Sequence, residues 1–319
     1  MTDPVSEFLD AMRAAGIHPV EQIADKLALG DPVRFRADGD KPGRLNGWAW
    51  LHLDGVPAGV FRHYRLDVRM VWRAGSDSRS LSPAERRAIM AQARASESRR
   101  KAETEAKQDL TAGVARNLWS GAGKADPAHG YLVRKGLPPF GIRQHGDALL
   151  VPMVDPGFRL RNVQRVYPDG RKLFLPGGRT EGLFWPHGLF WQDGKTLAGP
   201  LVIGEGFATM AAIHEATGHG VAAALSAKNL LSVALAMRRA FPDRELILAA
   251  DHDGHLPRNT GLEAAQEAAR RVGGGLAAPV AAGAGSGPAR IGIDFADIAR
   301  ADTAALIELA RIGKEVDHE

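Results

Sequence analysis

From residue 200 onward, short apolar runs alternate with longer amphipathic stretches, and this alternation restricts the fold more than any other property of the chain. The runs at 201–204, 220–225, 245–250 and 276–280 have strand length and are rich in Val, Leu, Ile and Ala, which predicts buried strands. Residues 207–217, 228–240, 261–272 and 302–312 read as helices, with Gly218 just past the end of the first. Strands that alternate with helices build a parallel sheet covered on both faces.

Two of these strands end in acids. Glu245-Leu-Ile-Leu-Ala-Ala250 runs into Asp251-His252-Asp253. Carboxylates at i and i+2 of a strand point the same way, and they repel unless a cation sits between them. Hard divalent ions such as Mg²⁺ take such oxygen ligands. Upstream, Pro200-Leu-Val-Ile-Gly204 delivers Glu205-Gly206. The three acids then share the carboxyl edge of one sheet, where ligands of open α/β sheets bind. The competing reading makes them helix N-terminal residues, which also favour acids. His252 and His255 flank the site, but hard ions prefer oxygen, so they read as exposed.

The chain has no cysteine, which excludes disulfides and Cys-ligated zinc and fits a reducing compartment. No apolar stretch approaches the ~20 residues of a membrane span, and Met1-Thr-Asp-Pro-Val lacks the order of a signal peptide. A soluble cytoplasmic protein with no membrane partner is expected. Net charge is +4 but unevenly spread: residues 110–200 hold 12 Lys/Arg against 6 Asp/Glu, and residues 201–319 hold 11 against 15. A basic segment before an acidic one suits a protein that grips a polyanion beside metal ions, although an excess of this size also arises by scatter.

Residues 3–28 read as helical, with Pro19 breaking the run. Val33-Arg-Phe35, the run from Gly47, the run from Gly59 and Arg69-Met-Val-Trp72 are separated by Asp-Gly and Lys-Pro-Gly turns and predict a small antiparallel sheet. Its aromatics Trp48, Trp50, Phe61, Tyr64 and Trp72 are of the kind that stacks bases, but at alternate sheet positions they read first as core. Ser82-Pro83-Ala-Glu85 is a capping box that opens a charged, solvated helix to about Lys107. A second helix is expected at Ala112–Ser120, a helix end at Gly136, and strands at Ala148–Val154, Leu160–Tyr167 and Lys172–Leu175. Gly121-Ala-Gly-Lys124 lacks the residues of a phosphate loop.

Glu205 with Asp251 and Asp253 resembles the Toprim pattern, the metal-binding module of DnaG-type primases, topoisomerases and some nucleases. The resemblance extends further. Gly292-Ile-Asp294-Phe-Ala-Asp297 is similar to the late acidic motif of the primase branch. Ala112–Trp119 with Tyr131-Leu132 and Gly136 is similar to the start of the primase core. Leu150-Val-Pro-Met153, Arg161-Asn162, Gln164-Arg165, Pro168–Lys172 and Gly177-Gly178-Arg179 resemble Toprim primases of conjugative plasmids and other mobile elements. Gly39–Gly43, Asn46-Gly47 and Asp54–Gly59 resemble a region those proteins also carry.

The resemblance implies RNA primer synthesis on single-stranded DNA with Mg²⁺ or Mn²⁺, ribonucleoside triphosphates as substrates, and replication or transfer proteins as partners. It makes Asp251 and Asp253 metal ligands, Asp297 or Asp294 a further ligand, and Glu205 a ligand or an acid/base. Arg161, Arg165, Lys172 and Arg179 are expected to converge on one face and grip triphosphate or template, with Asn162 and Gln164 beside them. The alternative is solvated basic residues on strand faces. Lys228 opens a helix whose N-terminus is a candidate phosphate site. The implied architecture is α/β: a Rossmann-like Toprim domain at 199–319, a basic α+β primase-core subdomain at 109–198, a charged helical linker at 79–108, and a small α+β domain at 1–78 for template or partner binding. Two other readings remain at this point, a metal-dependent Toprim nuclease and a non-catalytic protein that coats single-stranded DNA.

Overall fold

The computed structural model describes residues 3–75, 81–189, 199–250, 259–279, 295–296 and 300–316, the last of these with side chains to Arg311. The chain divides into two compact units, Met1–Ala106 and Lys107–Glu319. No helix among the described residues is long and apolar enough to cross a membrane.

In the first unit, helix α1 (Pro4–Ala14) starts at Asp3, whose side chain accepts from the Ser6 N–H. It stops early because Gly16 takes φ +79° and the Ile17 N–H turns back to the Met12 carbonyl. The expected single helical stretch therefore splits into α1 and α2 (Ala24–Ala28). Strands β1 (Val33–Phe35), β2 (Gly47–His52), β3 (Ala58–His63) and β4 (Val68–Arg73) form an antiparallel sheet in the order β1-β2-β3-β4. One face meets α1, where Phe8 packs edge-on against Phe61 and Trp72. The other face carries Trp48 and Trp50 against Leu81, Ile89 and Ala93. The aromatics thus serve as core, except Tyr64, which is 54% exposed.

Helix α3 runs unbroken over Pro83–Gly121, joining two stretches expected to be separate. Its capping box is formed as expected: Glu85 accepts from the Ser82 N–H, and the Ser82 hydroxyl accepts from the Glu85 N–H. Between Lys107 and Ala112 no proline or glycine stops the helix, and the later Gly113 costs only about 1 kcal/mol.

In the second unit, β5 (Gly123–Lys124), α4 (Gly130–Lys135), β6 (Arg143–His145), β7 (Ala148–Val154), β8 (Leu160–Val166) and β9 (Lys172–Phe174) follow. Their sheet is antiparallel in the order β5-β6-β7-β8-β9. Helix α4 ends at Gly136 in the left-handed conformation, as expected. Next come β10 (Trp185–His187), β11 (Leu201–Gly204), α5 (Phe207–Thr217), β12 (Gly220–Ala223), α6 (Ala227–Ala240), β13 (Leu246–Ala249), α7 (Thr260–Val272), β14 (Gly275–Ala277) and α8 (Arg300–Val316).

Their sheet has the order β10-β12-β11-β13-β14, with β11, β12, β13 and β14 parallel. Helices α5 and α8 cover one face and α6 and α7 the other, the expected α/β arrangement. Strand β10 adds an antiparallel edge that was not expected. It is three residues long and contains Pro186, so pairing with β12 defines it, not any local pattern. The core under α5 and α8 continues through Leu149, Val151 and Met153 of β7 and Tyr131 and Leu132 of α4. The expected boundary at 198/199 runs between two sheets that share this core.

Asp40 holds the turn between β1 and β2. Its buried carboxylate accepts from the Ala37 N–H, Asn46, His63 Nε2 and Arg65 Nε at 2.8–2.9 Å. Burial pushes its pKa up, but the four hydrogen bonds outweigh burial and hold it well below the usual carboxylate range. A carboxylate with a depressed folded-state pKa stabilises the fold above its unfolded pKa and loses that contribution as pH falls through the folded one. Asp40→Asn should therefore destabilise the protein by roughly 1–3 kcal/mol at neutral pH, and the gap from wild type should shrink as pH drops below about 4. Melting curves across pH check both.

Candidate active site

The three strands at the centre set the site. Gly204 of β11 pairs with Ala223 of β12 and Ala249 of β13 in register, so these chain ends emerge side by side at the carboxyl edge. The connection after β11 runs to β12 and the one after β13 runs to β14, in opposite directions across the sheet, and such a reversal between neighbouring strands opens the binding crevice of an α/β fold. Glu205 follows directly, and its carbonyl accepts from the Leu225 N–H at 2.7 Å. Gly206 then caps α5 in an extended conformation. Gly204 is tightly enclosed: an added Cβ would sit 2.3 Å from Met210 Cε, which would have to move within the core, and 3.1 Å from the Ala249 carbonyl oxygen.

Asp251, Asp253, Asp294 and Asp297 lie outside the described residues, as does His252. Among the described residues no group of three His, Asp or Glu side chains converges. Glu205 stands one residue past the end of β11, beside the end of β13 from which Asp251 follows after Ala250. Carboxylate oxygen is the donor type a hard divalent ion requires, so this edge fits one.

The basic residues do not converge as expected. Arg161, at a bulge in β8, pairs with Asp109 of α3. Arg165 alternates with Gln164 along β8, and its Nε is buried with no hydrogen-bond partner among the described residues. Lys172 lies opposite Val166, on the sheet face of Gln164 and not of Arg165. Arg179 donates through Nε to the Glu181 carbonyl. Lys228 is exposed in the first turn of α6. Strand alternation divides side chains that linear proximity had grouped.

Asn162 and Gln164 are buried and spend their polar atoms on backbone. Asn162 donates to the Arg179 carbonyl and accepts from the Val163 and Leu175 N–H groups. Gln164 donates to the Leu225 carbonyl. Leu225 holds φ +63°, a strained conformation for a leucine, in the loop that touches Glu205. Asn229 braces the same loop: it donates to the Leu183 and Ala224 carbonyls and accepts from the Gly182 N–H.

A cavity of about 360 Å³ opens between α4, β9 and the start of α5. Tyr131, Arg134 and Lys135 line it from α4, Asp169 and Gly170 from the turn before β9, Lys172 from β9, and Gly206 and Thr209 from the α5 side, next to Glu205. Lys172 Nζ and the Arg134 guanidinium each lie 5.8 Å from the Tyr131 ring centroid. Three cations against the single carboxylate of Asp169, beside a helix N-terminus, favour an anionic ligand. Arg134 and Lys135 were not singled out by the sequence, because basic residues in a last helical turn are already explained by the helix dipole.

A family model described as the Toprim domain matches residues 200–305. Over 285 residues, or 87% of this chain, the sequence is 34% identical to a DNA primase TraC of Escherichia coli, covering 26% of that protein. A second DNA primase TraC of Escherichia coli is 33% identical over 286 residues, covering 20% of its length. The chain thus spans about a quarter or less of the curated relatives it matches. Among solved structures, a DnaG primase catalytic domain bound to ssDNA is 14% identical with TM-score 0.43, covering 66% of this chain and 80% of that one. The Aquifex aeolicus primase (zinc binding and RNA polymerase domains) is 11% identical with TM-score 0.39, covering 97% of this chain and 85% of that one.

The chain carries a Toprim domain at its α/β sheet. Across most of its length it is homologous to the DNA primase TraC. Toprim primases are metal-dependent.

Gly204→Ala should cost roughly 1–3 kcal/mol of stability, because the methyl group would force the fully buried Met210 side chain to repack and press on the Ala249 carbonyl. Thermal denaturation measures it, and a shift below 1 °C would contradict the packing.

Proposed function

We propose that this chain is a Toprim primase of the kind carried by mobile elements, making short RNA primers on single-stranded DNA. The observation that carries the reading is 34% identity to a DNA primase over 87% of the chain. The placement of Glu205 beside a basic cavity on the same sheet edge supports it.

Asp251 and Asp253 hold the divalent ion, Mg²⁺ or Mn²⁺, with Glu205 as ligand or acid/base and Asp294 or Asp297 as a further ligand. When bound, the ion activates the attacking 3′-hydroxyl and neutralises the pyrophosphate leaving group. Lys135 and Lys172 grip the triphosphate, and Arg134, tied to the Pro168 carbonyl, fixes the rim. Gln164 and Asn229 act on the Leu225 loop, which keeps the backbone around Glu205 in place. The template is single-stranded DNA, and replication or transfer proteins are the natural partners.

The test combines the protein with single-stranded DNA, four ribonucleotides and Mg²⁺ or Mn²⁺, and resolves products on a denaturing gel. Labelled oligomers are expected from the wild type and none from Asp251→Asn, whose melting temperature should not fall. Cleaved DNA without oligomers would replace the reading with a Toprim nuclease; DNA binding that ignores EDTA, with no product, would replace it with a coating protein. Lys172→Gln should raise the KM for ribonucleotide roughly 10- to 100-fold, the value of a charge-assisted hydrogen bond, with kcat changed less.

A further inference from the structure

A row of arginines and aromatics crosses the sheet of the first unit. In register, Arg34 of β1 lies opposite Trp48 of β2, Trp48 opposite Arg62 of β3, and Arg62 opposite Arg69 of β4. Directly opposed residues share a sheet face, so three guanidinium groups and one indole form a single row about 14 Å long. Among the described residues, no carboxylate pairs with Arg34, Arg62 or Arg69. Arg62 and Arg69 are like charges in direct opposition, an arrangement that costs stability when left unneutralised.

The aromatics hold these groups in place. The Arg62 guanidinium lies 5.0 Å from the Trp48 ring and 4.9 Å from the Tyr64 ring, and Arg34 approaches Tyr64 from 5.7 Å. Stacking occupies the flat face of a guanidinium and leaves its in-plane N–H edges for an oxyanion. Arg62 Nε is buried and has no hydrogen-bond partner among the described residues. Tyr64 is 54% exposed, so part of its ring is accessible. The neighbouring rows of this face, around Trp50, Val60 and Val71, are covered by Leu81, Ile89 and Ala93. Trp48 is buried in that same cluster, but Arg34 and Arg69 are exposed and Arg62 is half-buried, so the arginines of the row reach solvent, and Arg69 also reaches Met90 Sδ at its border.

We propose that the Arg34–Trp48–Arg62–Arg69 row, with Tyr64, is a binding site for single-stranded nucleic acid in the first unit. Repeated unpaired guanidinium groups interleaved with an accessible ring match phosphates and bases together. An acidic protein segment would use the charges and leave the ring without purpose. The site needs no metal, and its test is independent of primer synthesis.

The experiment titrates the full chain, in EDTA, into fluorescein-labelled dT20 and rU20 and follows anisotropy over a range of NaCl. The variant Arg34→Gln/Arg62→Gln/Arg69→Gln should bind about ten-fold or more weakly at low salt, with a salt slope shallower by about 2, as for three lost phosphate contacts on a single strand. Tyr64→Ser should weaken binding without changing the slope. A charge-matched control, Arg13→Gln/Arg239→Gln/Arg270→Gln, should change affinity by less than about three-fold. Loss on both oligomers assigns backbone recognition, and loss on one assigns that strand. Wild-type affinity and slope in the triple variant, or an equal loss in the control, would overturn the proposal. The triple variant should melt at or above the wild-type temperature, since it removes facing like charges. If it does not fold, Tyr64→Ser and Arg34→Gln, both at exposed positions, carry the same test.

Discussion

Strand β11 is paired on both sides and buried on both faces, and the arrangement of the second unit depends on that enclosure. A charged side chain has no place along such a strand, so Glu205 can stand only past its end. The same enclosure explains Gly204, where the Met210 side chain intrudes on the space of a Cβ and the Ala249 carbonyl lies close beside it. The tight fit brings the ends of β11, β12 and β13 level with one another. This edge is therefore built on strands that are buried on both faces.

The antiparallel sheet β5–β9 is joined to this frame by apolar packing and by buried amides. Leu149, Val151 and Met153 share a core with Phe207, Met210 and Ile213. Gln164 and Asn229 add hydrogen bonds to the loop that carries Leu225. Such amides are specific in a way that apolar contacts are not, because each unsatisfied buried group costs about 1–3 kcal/mol. They hold the basic cavity of α4 and β9 at a constant position beside Glu205. The nucleotide transfer proposed for this edge would depend on such a linkage, since misplacement by about 1 Å costs much of the rate.

The first unit follows a different logic. Its apolar faces are covered by α1 and by the N-terminal part of α3, and its turn is held by the buried Asp40 carboxylate. Gly59 makes room for the Phe8 ring, as Gly47 does for Phe35. What remains open is polar and basic, with stacked aromatic rings that fix the guanidinium groups. A surface that keeps like charges in direct opposition retains a cost that a bound polyanion removes.

By itself, the sequence determined the elements whose signals are local. Apolar runs and glycine caps placed the parallel strands and the ends of α4 and α5 within a few residues, and the Ser82–Glu85 box placed the start of α3. The position of Glu205 at a strand end was equally legible, because burial on both faces leaves a continuous apolar run followed by a charge. Tertiary structure alone decided the rest. Strand β10 exists only because β12 offers it an edge, whereas the continuity of α3 follows from the sequence, which has no proline after Pro83 to break it. Arg161 and Arg165 part from Lys172 because neighbours along a strand point to opposite faces, while register decides which side chains meet across it. For the same reason Arg134 and Lys135 join Lys172 around one cavity, although more than 30 residues separate them in the chain.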